Sequence, residues 1–271
     1  MTQSDSTQFS YFQIQGIWGV TKHFGGLRMT EELARRCQVT AQSYLLEVGS
    51  GVGQTACYLA EKFGCRVMSV DLSPAMVNWS QQRAARKGLQ DRVEFRIADA
   101  QQLPFADDTF DAMICESVTA FVPDKPAALA EYTRVVRPGG CVGLNEGTWV
   151  QDDQPSELLA YIDKFMAGAR FQKPDAWQAL LEGAGLEALD VQVYHLNAVR
   201  QRLDENYGMT FGEYMERLGA LGKFFSLTVS DAAFRRYVKE MIPSRKVIST
   251  LFKYLGYGLY IGRVPGDQLI K

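Results

Sequence analysis

The 271-residue sequence has two histidines, five cysteines and no excess of positive charge, and each shortage narrows the possible functions. Cys37, Cys57, Cys65, Cys115 and Cys141 form no CxxC pair and have neither redox nor metal-ligand spacing. His23 and His195 stand far apart in the chain, so no metal site is expected. Unpaired thiols in apolar runs suit buried side chains in a reducing compartment, and a cytoplasmic location is expected. The formal net charge of −2 argues against nucleic acid as an obligatory partner, which would need clustered Lys and Arg. No apolar run reaches the roughly 18 residues of a membrane span, so no integral membrane association is expected. The N-terminal stretch MTQSDSTQFSYFQ lacks the charged and apolar regions of a secretory signal. One asymmetry stands out. Residues 200–271 carry twelve Lys/Arg against seven Asp/Glu. Solvated helix faces account for this, and peripheral contact with an anionic surface or an acidic substrate stays open.

From residue 44 onward, strand and helix signals alternate. YLLEVG, RVMSVDL, VEFRIAD, FDAMICES and CVGLNEG read as five strands. Between them, QTACYLAEKFG closes as a helix at Gly64. SPAMVNWSQQRAARKG has Ser73 as N-cap, Pro74 at the first helical position and Gly88 at its end. KPAALAEYTRVV is a helix leading to an RPGG turn. A helix and a sixth strand follow in PDAWQALLEGAGLEALDVQVYHL, and YGLYIGRV is a seventh strand. This pattern predicts an α/β, Rossmann-like doubly wound sheet. Residues 204–250 are helical in pattern and interrupt it. No repeat or low-complexity linker appears, so 1–271 reads as one domain with 204–250 as a helical lid rather than a second domain.

The stretch LLEVGSGVGQT decides between two ligands. Its glycines, Gly49, Gly51 and Gly53, lie where a strand turns into a helix and backbone N–H groups can approach a ligand. A dinucleotide fingerprint wants Gly or Ala at position 54, which here is Gln54. Glu47 lies inside the strand. A carboxylate there is unfavourable beside pyrophosphate and favourable beside an ammonium or sulfonium group. Asp71 ends the next strand, where an acid suits both hydroxyls of a ribose. Asp99 ends the third, placed to accept from an adenine amino group.

The motifs LLEVGSGVG, VDLSPAM, ADAQQLPFADDTFDAMICES and VVRPGG, in this order and spacing, resemble the class I S-adenosylmethionine-dependent methyltransferases. The similarity is greatest to the branch of ubiquinone/menaquinone and sterol or tocopherol methyltransferases. It covers residues 44–147. The resemblance implies a mostly parallel seven-stranded sheet with an antiparallel last strand, and S-adenosylmethionine as cofactor. Glu47, Gly49, Ser50, Gly51 and Gly53 would floor the methionine part. Asp71 would bind the ribose, Leu72 would lie against adenine, and Asp99 and Ala100 would hold the adenine edge. Glu116 would face the methionine ammonium or the substrate. GIWGVTKHFGGLRMTEEL, within residues 1–43, loosely resembles an N-terminal cofactor lid. The insertion before the last strand departs from the family, so the acceptor of a relative does not carry over.

The expected reaction is methyl transfer to O, N or C of a small, largely apolar acceptor. Alternatives are a quinone or lipid methyltransferase at a membrane face, and a non-catalytic cofactor-binding protein of the same fold. A nicotinamide oxidoreductase is disfavoured by Glu47 and Gln54. His23, Glu116 and Glu146 are the catalytic candidates, with Asn145 beside Glu146 at the end of the fifth strand. A helix cap or loop acid is the competing role for Glu146, and a surface position that for His195. Tyr11, Trp18 and Trp149 are candidates for an aromatic wall around a sulfonium, against ordinary core packing. Phe105 and Phe110 are expected to pack the LPFADDTFD turn into the core. Tyr207, Met209, Phe211, Tyr214 and Met215 are candidates to line an apolar acceptor cavity. STLFKYLGYGLYIG reads as a lid helix followed by the last strand.

Overall fold

Strand β1 (Tyr44–Val48) is buried on both faces, as the centre of a parallel sheet requires. It lies in a computed structural model that describes residues 15, 23–197, 207 and 211–266, with 211–217 described by backbone alone. β1 pairs in parallel with β2 (Arg66–Asp71) and with β4 (Phe110–Glu116). β3 (Val93–Ile97) extends one side, and β5 (Val136–Trp149) the other. β7 (Leu255–Arg263) then runs antiparallel between β5 and β6 (Glu187–His195). The order is β3-β2-β1-β4-β5-β7-β6, seven strands with the last one reversed. The expected fold class is borne out.

Helices cover both faces because consecutive strand residues point to opposite sides. Leu45, Val67, Ile114, Cys141 and Leu259 face one core, with α1 (Gly26–Arg36), α2 (Gln54–Phe63) and α3 (Pro74–Lys87) packed over it. Leu46, Met68, Met113, Val142 and Leu144 face the other. There α4 (Lys125–Arg134) supplies Leu129 and Tyr132. A further helix, α5 (Ser156–Phe165), follows β5, and α6 (Pro174–Gly183) then brings Trp177 and Leu181 to that second core. Helix punctuation follows the sequence. Ser73 precedes Pro74, and Gly64 and Gly88 end their helices in the left-handed region at φ +73° and +67°. Phe105 and Phe110 pack edge to face at 5.0 Å.

The RPGG segment departs from expectation. It is not a turn before the fifth strand but a bulge within it. Val136 pairs with Phe110 and Cys141 with Ala112, so the intervening residues loop out while the ladder resumes beyond them. Arg137, Pro138 and Gly139 are exposed accordingly.

The described residues of the insertion form three helices, α7 (Phe211–Ser230), α8 (Ala232–Met241) and α9 (Arg245–Tyr254). The Asp231 carboxylate caps α8 through the Ala233 and Phe234 N–H groups, and the Ser244 hydroxyl caps α9. The group bridges two parts of the body. Lys223 of α7 lies over the Trp79 ring of α3, 5.6 Å from its centroid. On the other side Tyr161 Oη of α5 donates to Met241 O at 2.9 Å, and Val247 packs with Leu158 and Ile162. Both ends of the excursion meet in the sheet, where His195 and Gly256 are register partners. No described helix is long and apolar enough to cross a membrane.

Candidate functional site

The glycine turn after β1 is held by backbone and by α3. The N–H groups of Gly49 and Ser50 donate to Val70 O at 2.8 and 2.9 Å. Gly49, Gly51 and Gly53 have φ of +90°, +50° and +75°, where a side chain is strained. At Gly49 space is also short, since a Cβ would come within 2.2 Å of Val118 Cγ2. Gly49→Val is therefore expected to cost about 2–5 kcal/mol in a urea unfolding experiment, from strain and overpacking together. A variant within 0.5 kcal/mol of the parent (about the scatter of such measurements) would show that the turn yields.

Asp71 ends β2 and closes this turn. Its two carboxylate oxygens accept from Gly51 N–H and Ser73 N–H, each at 2.9 Å. Burial raises its pKa, and these two N–H groups oppose the rise. Beside it Leu72 is 70% exposed, an apolar side chain with nothing over it among the described residues. Ala98 N donates to Asp71 O, which sets Asp99 and Ala100 next to that surface. The Asp99 carboxylate accepts from the backbone and side-chain N–H groups of Gln101 at 2.9 and 3.1 Å.

Glu47 and Glu116 lie on the face covered by α1 and α2. The Glu47 carboxyl is sealed inside, accepting from Ser69 Oγ at 2.5 Å. Burial pushes its pKa well up. The Ser69 hydroxyl and the Ala56 N–H oppose that rise, and the nearby Glu116 and Asp71 charges add to it. Glu47 thus braces β2 and the first turn of α2 from beneath. Glu116 is more central. Its Oε2 accepts from Thr30 Oγ1 at 2.8 Å and Thr55 Oγ1 at 3.2 Å, and its Oε1 from Asn145 Nδ2 at 3.1 Å. His23 Nε2 stands 3.0 Å from Thr30 Oγ1 and 3.7 Å from Glu116 Oε2. The structure so brings His23, Glu116 and Asn145 together. Thr30 and Thr55 join them; both lie in stretches the sequence marks, GIWGVTKHFGGLRMTEEL and LLEVGSGVGQT, but neither residue is singled out there.

Glu146 turns the other way. Asn145 is the register partner of Glu116, so Glu146 points to the opposite face. It is fully buried, accepting from Thr119 N–H at 2.6 Å, Val118 N–H at 3.0 Å and Ala120 N–H at 3.4 Å. Burial raises its pKa to about 7 against the pull of those N–H groups. This corrects the expectation of an acid open to the reaction centre: Glu146 caps the 3-10 turn Thr119–Phe121.

His195 is exposed at the end of β6. Trp149 packs edge to face on Phe171 at 5.7 Å, in the core reading rather than as part of a wall. Tyr207 is not buried in an apolar cavity; it is 41% exposed and its hydroxyl donates to Glu31 Oε2 at 3.0 Å. Tyr11, Trp18 and Met209 lie outside the described residues, as do the side chains of Phe211, Tyr214 and Met215. Most of the expected N-terminal lid also lies outside them. Its described helix α1 is packed on the sheet through Met29, Leu33 and Ala34.

Residues 46–144 match the methyltransferase domain family. Over these residues the chain is similar to a methyltransferase domain. It is 35% identical over 170 residues to methyltransferase GfsG of Streptomyces halstedii, a match covering 61% of this chain and 60% of that one. It is 30% identical over 161 residues to phosphoethanolamine N-methyltransferase 1 of Arabidopsis thaliana, covering 59% of this chain and 32% of that one. The chain thus matches less than two thirds of these relatives' length. Among solved structures, Haemonchus contortus phosphoethanolamine N-methyltransferase 2 in complex with S-adenosyl-L-methionine superposes with a TM-score of 0.73 at 19% identity, covering 96% of this chain and 59% of that one. The [4+2]-cyclase SpnF does so with 0.67 at 23%, covering 89% and 81%. These two likenesses establish the fold.

S-adenosylmethionine is the cofactor of this methyltransferase family. The residues present fit it. Asp71 offers lone pairs at a strand end and Leu72 an open apolar surface. Asn145 Oδ1 is a buried acceptor with no partner among the described residues, as an ammonium donor would require.

Proposed function

We propose that this chain binds S-adenosylmethionine and transfers its methyl group to O, N or C of a small, largely apolar acceptor. One observation carries the reading. Asp71 and Glu116 converge at the carboxyl ends of β2 and β4, and among the described residues only His23 lies within ion-pair distance of either. Uncompensated acids at the switch point of a doubly wound sheet suit a cationic ligand. The cofactor supplies a methyl group on a positively charged sulfur. Asp71 would hold the ribose, Leu72, Asp99 and Ala100 the adenine, and the turn Gly49–Gly53 the methionine part. Glu116 and the free lone pairs of Asn145 Oδ1 would orient the ammonium.

Much of the acceleration in such a transfer comes from orienting the two reactants in a dry pocket, worth up to ~7–11 kcal/mol in favourable cases. The bridging helices α7 to α9 are placed to exclude water. Where the acceptor must lose a proton, His23 is the base. Thr30 gives its one hydroxyl proton to Glu116, so it accepts from His23 Nε2–H, which leaves Nδ1 as the basic nitrogen.

A second reading, an acceptor drawn from a membrane face, is favoured by Leu218, Leu221, Phe225 and Val229. All four are exposed along α7. Liposome co-sedimentation separates it from the first reading.

Titration calorimetry tests the cofactor. Binding of S-adenosylmethionine and S-adenosylhomocysteine, and none of NAD, is expected. Release of S-adenosylhomocysteine on incubation with candidate acceptors distinguishes an enzyme from a binding protein. In hydrogen exchange, residues 211–254 should gain protection with cofactor; unchanged exchange there would remove these helices from the site.

A further inference from the structure

A cleft of about 660 Å³ lies between the start of α4 and the stretch 170–180 that leads into α6. Its walls have two characters. Pro123, Pro126, Ala176 and Leu180 contribute apolar surface, and Lys125, Arg170 and Gln172 contribute donors. Among the described residues no carboxylate lines it. Lys125 opens α4 and is only 7% exposed. Its ammonium donates to Val122 O at 3.0 Å and Ala120 O at 3.3 Å, both neutral carbonyls. Those bonds use two of its three hydrogens, and among the described residues no carboxylate comes within ion-pair distance of it. Glu146, across Ala120, acts on this ammonium electrostatically but makes no ion-pair contact with it. Burying an ammonium without a directly paired counter-charge is costly, so a position like this is suited to a ligand that brings one. Arg170 stands at the rim, where its guanidinium also pairs with Asp163 at 3.0 Å.

We propose that this cleft is a second ligand site, which takes a small molecule with an apolar body and one anionic head, a carboxylate or a phosphate. The head lies on Lys125 and Arg170, and the body against Pro126, Ala176 and Leu180. Ala120 is the partition between this site and the interior of the sheet. Its N–H donates to Glu146, while its carbonyl accepts from Lys125 and from Arg170 N–H at 2.8 Å. The turn that separates the two regions is therefore gripped from both sides.

The full chain is titrated by calorimetry with octanoate and octyl phosphate, with octanol and inorganic phosphate as controls. Saturable one-to-one binding of at least one anionic amphiphile is expected, with inorganic phosphate weaker and octanol silent; the tighter of the two amphiphiles names the head. Lys125→Met should weaken that binding about tenfold or more. Ala179→Trp, on the exposed outer side of α6 where it lines the same cleft, should abolish it by filling the space. This second variant decides the matter if Lys125→Met does not fold. Absence of saturable binding to the parent, equal binding of octanol, or unchanged binding in Ala179→Trp would overturn the proposal.

Discussion

Asp71→Ala is expected to weaken S-adenosylmethionine binding by about two to four orders of magnitude while the chain stays folded. Two losses combine. A carboxylate that accepts from both ribose hydroxyls contributes about 1.5–3 kcal/mol per bond. The same carboxylate fixes the Gly51 and Ser73 N–H groups, so its removal also loosens the turn that meets the methionine part. Asp71→Asn separates these effects. One amide oxygen can still accept from Gly51 or Ser73, but the charge and one acceptor are gone, so affinity should fall between parent and alanine variant. Calorimetry reads the affinity, and thermal unfolding confirms the fold. A folded alanine variant that binds as the parent does would remove Asp71 from the site.

The second large effect concerns Glu146 and pH. Its folded-state pKa of about 7 lies above the ordinary 4.5, so the folded chain holds this proton more tightly than the unfolded chain does. The contribution to stability is fully present below pH 4.5 and is lost as pH rises towards 7. The displacement corresponds to about 3 kcal/mol. Glu146→Gln has no such proton, so its stability relative to the parent should improve by about that much between pH 4.5 and pH 8. Taking the difference between variant and parent cancels other groups, including Glu31 and Glu131, whose lowered pKa values act in the opposite sense. Glu146→Ala behaves differently. It strands the N–H groups of Val118, Thr119 and Ala120, and should cost about 2–5 kcal/mol at either pH. Urea unfolding at the two pH values measures all three proteins. A constant gap between Glu146→Gln and the parent would show that the buried carboxyl does not titrate in this range.

What the sequence revealed were features whose causes are local. Pro74 and Gly88 bracket a helix because one fixes φ and the other tolerates the left-handed region. Asp71 and the glycines were legible because a strand, a turn and a helix N-terminus are adjacent in the chain. The sequence left Glu146 open between a reaction-centre acid and a cap, because its surroundings depend on a neighbour far away in sequence. Asn145, not Glu146, is paired with Glu116, and a shift of one residue reverses the face. Thr30 and Thr55 were silent for a related reason. A threonine acquires meaning only when folding sets it against a buried carboxylate, and nothing nearby in the chain announces that. The RPGG segment carries a strong turn signal, and the chain does turn there; the ladder on either side simply resumes past it.

The pairing of His195 with Gly256 has a consequence for how this protein can change over time. The described residues between His195 and Leu255 lie outside the sheet, so the length and sequence of this excursion are not coupled to the register of β6 against β7. Lengthening such an excursion costs little closure entropy, about 0.6 kcal/mol per doubling. On the proposed reading of α7 to α9, exchanging this one segment would change the acceptor preference with residues 44–147 untouched. The boundary also marks where an engineer would cut: a segment from another protein whose ends lie as close together as neighbouring antiparallel strands could be spliced in at the same two residues.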